Sequence, residues 1–377
     1  MLADRRILID ASMVTGGGGF TYAINILPLL ATLAPEARFL VLARNSRLAQ
    51  FIAPLPNMEL RLLPQKGLPG RMLFLALGAR MITRDWRPDL YFSVGEYAGL
   101  GCGCPVVVSF RNSNIFTRLD LGWGIYQRFR LSILRFLALQ SARRASRVIF
   151  VSADSADWMG DAAGIPAEER AVIHHGIDVD AWRIRMAAGS NTASPGILSV
   201  SSIYRYKNFV RLIEAYCVLA RKIGNPPALT IVGDDQDAQH LRAMRIAVEQ
   251  AGEWADRIHL IGSVPHESVV SYYSRAEVFV FPSYLETFGH PLLEALASQL
   301  PVLASDMPVF REIMGDAAFY VDPFDVDSIA DGMARVLEDR ELARMLRRRG
   351  EERLEVFTWR ASAEALIRVL DESLGGR

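Results

Sequence analysis

The sequence predicts an α/β protein of two parallel-sheet domains, each with helices on both faces of its sheet. Three observations carry this expectation. The chain has 377 residues, more than one ordinary hydrophobic core accommodates. Short apolar runs alternate with helical or loop segments through both halves, which is how parallel strands joined by crossovers are written. A small, polar stretch, Met186 to Pro195 (MAAGSNTASP), separates the halves as a linker does. The expected organisation is a first domain over 1–180, a linker over 181–196, a second domain over 197–356 and a terminal helix over 357–377.

Composition narrows the function classes. A hydrophobic fraction of 51% with 22% charged residues belongs to a folded globular protein. The 42 basic and 42 acidic residues balance, so nothing in the charge calls for nucleic acid. Cys102, Cys104 and Cys217 are an odd count, which argues against a disulfide framework, and a lone Cys-x-Cys lacks the second ligand pair of a metal site. A reducing cytoplasm is the simplest home. Residues 11–35 carry no charge, yet Gly16 to Gly19, Asn25 and Pro28 break the run and Asp10 precedes it, so no transmembrane helix is expected.

Arg6 to Asp10 (RILID) reads as the first strand, followed by a Gly-rich turn opening a helix. A dinucleotide fingerprint starting from Gly17 and Gly19 needs its third glycine where Tyr22 stands, and the next strand, RFLVLARNS, ends without an acid. A nicotinamide enzyme is therefore not expected. Gly18 and Gly19 still let backbone approach an anion or a sugar closely; a merely flexible turn is the alternative.

Further strands are expected at Phe39–Leu42, Leu60–Leu63, Leu90–Phe92, Val106–Phe110 and Arg147–Val151. Residues that follow such strands collect at one sheet edge, where α/β proteins bind ligands, and this places Arg111 and Asn112 there. From Leu121 to Ala153 there is no Asp or Glu, while Arg128, Arg130, Arg135, Arg143, Arg144 and Arg147 sit among apolar residues such as Phe129 and Phe136. Two readings stand open. Residues 122–147 could make peripheral contact with an anionic membrane surface or a lipid pyrophosphate acceptor, or the helix packs on its own domain with its arginines in water. Asp178 and Asp180 form a D-x-D, but two acids alone make a poor metal site.

The second half opens with a strand in GILSV, a polar turn, and a helix carrying Leu212, Ala215 and Leu219 on one face. Lys207 and Arg205 lie at the turn, where two cations beside a helix start can neutralise a pyrophosphate without a metal. Ala228–Asp234 and Arg257–Val264 are the next strands. The densest stretch is Val278 to Asp306. A buried strand, Val278–Phe281, leads into a polar loop, then Gly289 and Pro291 open a helix running on to Gln299, and Val302–Ala304 is the following strand. A helix start at a strand end offers free N–H groups and a positive dipole to a phosphate. Glu286 and Glu294 frame it, and carboxylates accept well from sugar hydroxyls. Hydroxyls at both ends with phosphates between describe a nucleotide sugar. His290, between Gly289 and Pro291, reads as a loop residue beside the site rather than a general base.

The E-x7-E spacing of Glu286 and Glu294 within FPSYLETFGHPLLEA resembles the donor-site signature of the retaining glycosyltransferases of family 4, which have the GT-B fold, and further family features recur in order along the chain. The resemblance implies two Rossmann-like domains facing each other across a cleft, with the acceptor on the first and the donor mainly on the second, and a last helix crossing back to the first domain. It implies that Glu286 contacts the transferred sugar, that Phe288 and Gly289 present backbone N–H groups to sugar and phosphate, that Glu294 holds the ribose hydroxyls, and that backbone at Gly262 meets the base. The loop at Gly18 and Gly19 would face the donor.

Five positions depart from the family pattern. Gln299 stands at a usual glycine, Arg111 and Asn112 at a usual His-Asp pair, Ser202 at the arginine of Arg-x4-Lys, with Arg205 as substitute, and His175 at an asparagine. The expected reaction moves a hexose, mannose from GDP-mannose as the first guess, from a GDP- or UDP-linked sugar to a saccharide or lipid-linked acceptor in surface polysaccharide assembly. No cofactor or metal is expected, and the setting is the cytoplasm or the inner face of its membrane. The rivals are a sugar-nucleotide epimerase or phosphorylase on the same fold and a sugar-binding relative without the reaction.

Overall fold

The computed structural model describes residues 2–14, 17–52, 55–64, 67–188 and 196–375. The chain divides into two compact units, Met1–Gly176 with Phe357–Arg377, and Ile177–Val356.

In the first unit seven strands form one parallel sheet: β1 (Arg6–Ala11), β2 (Arg38–Ala43), β3 (Met58–Leu62), β4 (Leu90–Ser93), β5 (Val106–Phe110), β6 (Arg147–Phe150) and β7 (Arg170–Val172), in the order β3-β2-β1-β4-β5-β6-β7. Their central members are buried along almost their whole length, as strands covered on both faces must be. Helices Gly17–Leu33 and Trp359–Gly375 cover one face through Ile26, Leu30, Leu366 and Leu370. Helices Ala79–Trp86 and Ile125–Ala142 lie over the other, through Ala79, Leu131, Leu134 and Ala138.

The second unit repeats the plan with six parallel strands: β8 (Gly196–Val200), β9 (Leu229–Val232), β10 (Ile258–Gly262), β11 (Ala276–Phe281), β12 (Val302–Ser305) and β13 (Ala318–Val321), ordered β10-β9-β8-β11-β12-β13. Sequence order reverses between β8 and β11. Adjacent loops therefore leave the sheet in opposite directions at that point, which opens a crevice beyond the strand ends. The same reversal occurs between β1 and β4 in the first unit.

Several expectations are corrected. The linker expected over 181–196 is helix as far as Ala188, because Trp182 is buried and its indole N–H donates to the Ser298 hydroxyl at 2.8 Å; residues 189–195 lie outside the described residues. Gly18 and Gly19 form the first turn of helix Gly17–Leu33 rather than a loop, Gly17 entering it at φ +58°, and Gly16 lies outside the described residues. The short strand β7 (RAV) was not expected, since three residues carry no readable period.

Gln299 is not helical either: it ends helix His290–Ala297 at φ +56°. Its N–H donates to Leu296 O at 2.8 Å and that of Leu300 to Ala295 O at 3.0 Å, the Schellman arrangement in which glycine is the favoured left-handed residue. Gln299→Gly should therefore raise stability by about 1 kcal/mol, seen as an increase in Tm of about 2–4 °C; an unchanged or lower Tm contradicts the strain argument.

Candidate active site

The reversal between β8 and β11 is where the second unit gathers its polar chemistry. β8 runs out into a 3-10 turn, Arg205–Lys207, and β11 into the loop 282–289. Backbone sews the two together. Tyr284 N–H donates to Tyr206 O at 3.0 Å, and the Ser283 hydroxyl donates to the same carbonyl at 3.1 Å. Asn208, left-handed at φ +66°, joins the turn to helix Phe209–Ile223, and its side-chain amide donates to Pro282 O at 3.1 Å and Pro323 O at 2.6 Å.

The closure brings Lys207 onto Glu286. Their side chains form an ion pair while only 11% and 13% exposed, with the ammonium 5.3 Å from the Tyr206 ring centre and 5.4 Å from that of Phe281. Such a pair adds little net stability, because desolvation offsets most of the attraction. Its consequence is chemical: a fixed cation and a fixed carboxylate stand at a strand-end crevice with little water to screen them.

Beyond Glu286, Phe288 is buried and Gly289 turns the chain into helix His290–Ala297 at φ +87°. A Cβ there would need that unfavourable φ and would press on Leu292 and Phe310 at 3.1 Å, so glycine is required. Pro291 stands in the first turn, where its missing N–H costs no intrahelical bond, and Leu292 N–H donates to Gly289 O at 2.9 Å. His290, expected in the loop, is the first helical residue.

Glu294 lies one turn further along. Its carboxylate is buried and accepts the Tyr273 hydroxyl at 2.9 Å; Tyr273 in turn stacks on Phe279 at 5.3 Å and meets the edge of Trp182 at 5.4 Å. Burial pushes the Glu294 pKa up to about 7, against the opposing pull of the Tyr273 hydrogen bond and the Arg185 charge.

The remaining expected residues are placed less centrally. Arg205 is exposed on the 3-10 turn, and its charge is felt at Tyr284 and His240. Gly262 ends β10, two strands from the reversal, at φ +78°, with its carbonyl accepting from Gly233 N–H at 3.0 Å. In the first unit the Arg111 guanidinium lies 3.5 Å from the Tyr22 ring centre, and its Nε donates to the Ser109 hydroxyl at 3.0 Å. Asn112 accepts from Asn114 N–H at 3.1 Å, capping the turn Ser113–Ile115. Asp178 accepts from Ala181 N–H at 2.9 Å, which makes the D-x-D the start of helix Val179–Ala188. Among the described residues no group of three or more His, Cys, Asp or Glu gathers as a metal site.

Sequence reasoning missed the supports: Tyr273 behind Glu294, Asn208 behind the two loops, and Glu96, whose carboxylate accepts the N–H groups of Arg111 at 2.9 Å and Asn112 at 2.8 Å. Asn208 alone carried a signal, as a turn-favouring residue between Lys207 and a helix.

Comparison with known proteins adds an independent line. Residues 180–353 match the family described as Glycosyl transferases group 1, and residues 16–181 match Glycosyltransferase Family 4. The O-antigen chain mannosyltransferase B of Escherichia coli is 36% identical over 102 residues, 27% of each protein. The O-antigen chain mannosyltransferase RfbU of Salmonella typhimurium is 28% identical over 194 residues, 52% of each. A phosphatidyl-myo-inositol mannosyltransferase of Mycolicibacterium smegmatis is 26% identical over 280 residues, 72% of this chain and 66% of that protein. The matched segments thus span between about a quarter and two thirds of these relatives' lengths. Among solved structures, Anabaena Alr3699/HepE in complex with UDP-glucose aligns with TM-score 0.74 at 19% identity, over 98% of this chain and all (100%) of that one. WaaG, a glycosyltransferase involved in lipopolysaccharide biosynthesis, aligns with TM-score 0.73 at 15% identity, over 97% and 99%. These structures establish the GT-B fold.

The buried carboxyl of Glu294 gives a pH signature. Its pKa is about 7 in the folded protein against an ordinary 4.5, so the folded state binds more protons than the unfolded one between those values. Its contribution to stability is therefore complete below pH 4.5 and is lost as pH rises through 7. The difference in Tm between the protein and Glu294→Gln should shift against the native residue across that window; a pH-independent difference would show that the carboxyl is not held there.

Proposed function

We infer a reaction from a premise that the two family matches establish: this chain belongs to the group 1 glycosyltransferases, with a first half of glycosyltransferase family 4. The reaction is transfer of a hexose from a nucleotide sugar, with retention, to a saccharide or lipid-linked acceptor in surface polysaccharide assembly, in the cytoplasm. Mannose from GDP-mannose is the first candidate, supported by the mannosyltransferases among the relatives. The observation that carries the reading is the Lys207–Glu286 pair at the reversal of the second sheet, beside the open helix start at Gly289.

Each component has a task in such a transfer. Lys207 and the positive end of helix His290–Ala297 take the diphosphate, offering positive charge where negative charge develops as the sugar departs. Lys207 thereby exchanges its carboxylate partner for a phosphate, and Glu286 is left to accept from hydroxyls of the sugar. Arg205, on the same turn, adds charge from the solvent side. Glu294 accepts from the ribose hydroxyls and Gly262 offers backbone to the base. The acceptor is assigned to the first unit, where Glu96 fixes the backbone of Arg111 and Asn112 at the strand ends.

The acceptor hydroxyl attacks the anomeric carbon on the face from which the phosphate leaves. The carbon–phosphate oxygen bond breaks, the acceptor oxygen–carbon bond forms, and the departing phosphate oxygen takes the acceptor proton. Cations from the chain suffice for the leaving group, so the proposal includes no metal.

Release of nucleoside diphosphate from GDP-mannose, with a mannoside acceptor, tests the assignment. Lys207→Ala should lower turnover by about 10²-fold or more with the fold intact by circular dichroism. A near-native rate would sink the role given to Lys207.

A further inference from the structure

The Glu294 carboxyl is a costly group to bury. It is 7% exposed, and the phenol that meets it, Tyr273, is 0% exposed. For folding alone an apolar pair of similar volume would serve at least as well, because desolvation offsets most of what such a contact returns. The neighbouring positions make that apolar choice: Tyr273 stacks on Phe279 at 5.3 Å, and Phe279 on Phe281 at 6.0 Å. The Tyr273 hydroxyl is thus a polar atom set into an aromatic row, and it is directed at Glu294 Oε2, 2.9 Å away.

That hydroxyl stays a donor. Burial and the charge of Glu294 push the Tyr273 pKa well above its ordinary value, so the phenol keeps its proton. One proton serves one acceptor at a time, and the alternative acceptor, Pro291 O, is the longer contact at 3.3 Å. An ionised carboxylate offers about four lone-pair sites, so a single donated proton orients the group without exhausting it.

Helix Val179–Ala188 closes the arrangement from the other side. Trp182 is 2% exposed, its ring meets the Tyr273 ring edge-on at 5.4 Å, and its indole N–H donates to the Ser298 hydroxyl at 2.8 Å. The Ser298 hydroxyl in turn donates to Glu294 O, also at 2.8 Å. Trp182 therefore reaches Glu294 by two routes, to the side chain through Tyr273 and to the backbone through Ser298. The next residue strengthens the attachment: Arg183 Nε donates to Ala297 O at 3.3 Å, and its guanidinium pairs with Glu351 at 2.5 Å. A binding group held in one direction before its ligand arrives loses less freedom on binding.

We propose that Tyr273 and Trp182 are positioning residues for the donor. Tyr273 fixes the Glu294 carboxylate in the direction in which it accepts ribose hydroxyls, and Trp182 fixes the Tyr273 ring and the Glu294 backbone together. This assignment rests on the ribose role given to Glu294 in the proposed reaction. It adds that recognition of the ribose depends on two residues that do not touch it.

Calorimetric titration of the whole protein with GDP and UDP, and with their 2′,3′-dideoxy analogues, tests it. The analogues keep base and diphosphate and lack the hydroxyls that Glu294 accepts. For the nucleotide that binds, native protein should prefer the ribose form by about tenfold or more. Tyr273→Phe should lose most of that preference by weakening the ribose form alone, with affinity for the dideoxy form within about twofold of native. Trp182→Phe keeps a ring but not the indole N–H, and should reduce the preference by about threefold. A Tyr273→Phe protein that keeps the native preference, or that weakens both forms alike as a damaged core would, overturns the positioning role. A Trp182→Phe protein that keeps the preference overturns the part given to Trp182. Native protein that binds both forms equally would overturn the ribose role of Glu294 and this assignment with it, and native protein that binds neither nucleotide would overturn the proposed reaction as a whole.

Discussion

Two opposite charges, Lys207 and Glu286, are held together where the strand order of the second sheet reverses, and the local structure is arranged to hold them there. Neither residue would choose the position by itself. A lysine that is 11% exposed requires a partner, and the partner comes from a loop 79 residues away in sequence. Asn208 and Ser283 tie the two loops through backbone carbonyls, and Gly289 then redirects the chain into a helix whose first turn faces the same crevice. The pair is of small value to folding and of large value to a reaction that needs a cation for a leaving phosphate and a carboxylate for sugar hydroxyls. The site's polarity is thus built in before any ligand arrives.

The fold was legible because parallel sheets write themselves in continuous apolar runs. β1, β2, β5, β11 and β12 were all readable from such runs, and their ends fixed where the chemistry could gather. What stayed hidden depends on tertiary neighbours. Residues 181–188 look like linker by composition, yet Trp182 anchors them as a helix against Ser298 and Tyr273. Gly18 and Gly19 read as loop residues because glycine is a poor helix former, and the apolar face beyond them carries the helix to its first turn.

The site was legible as residue types in order rather than as partners. Spacing placed Glu286 and Glu294 near one helix start, but it could not show that Glu286 is paired with Lys207 while Glu294 is buried under Tyr273. Two carboxylates eight positions apart consequently differ in character, one paired with a lysine and one pushed toward neutrality by burial. The departures from the family pattern also acquire physical meanings. Gln299 occupies a left-handed position that suits glycine, and Arg111 spends its guanidinium on Tyr22 and Ser109 within its own unit.

The central claim is that the crevice at Lys207, Glu286 and Gly289 is a nucleotide-sugar site. Isothermal titration calorimetry of GDP, UDP, GDP-mannose and UDP-glucose, each with and without EDTA, addresses it most directly. The account predicts saturable binding of one nucleotide class, unchanged by EDTA and weakened in Lys207→Ala. A folded protein that binds none of the four, or one whose affinity is indifferent to Lys207→Ala, would contradict it.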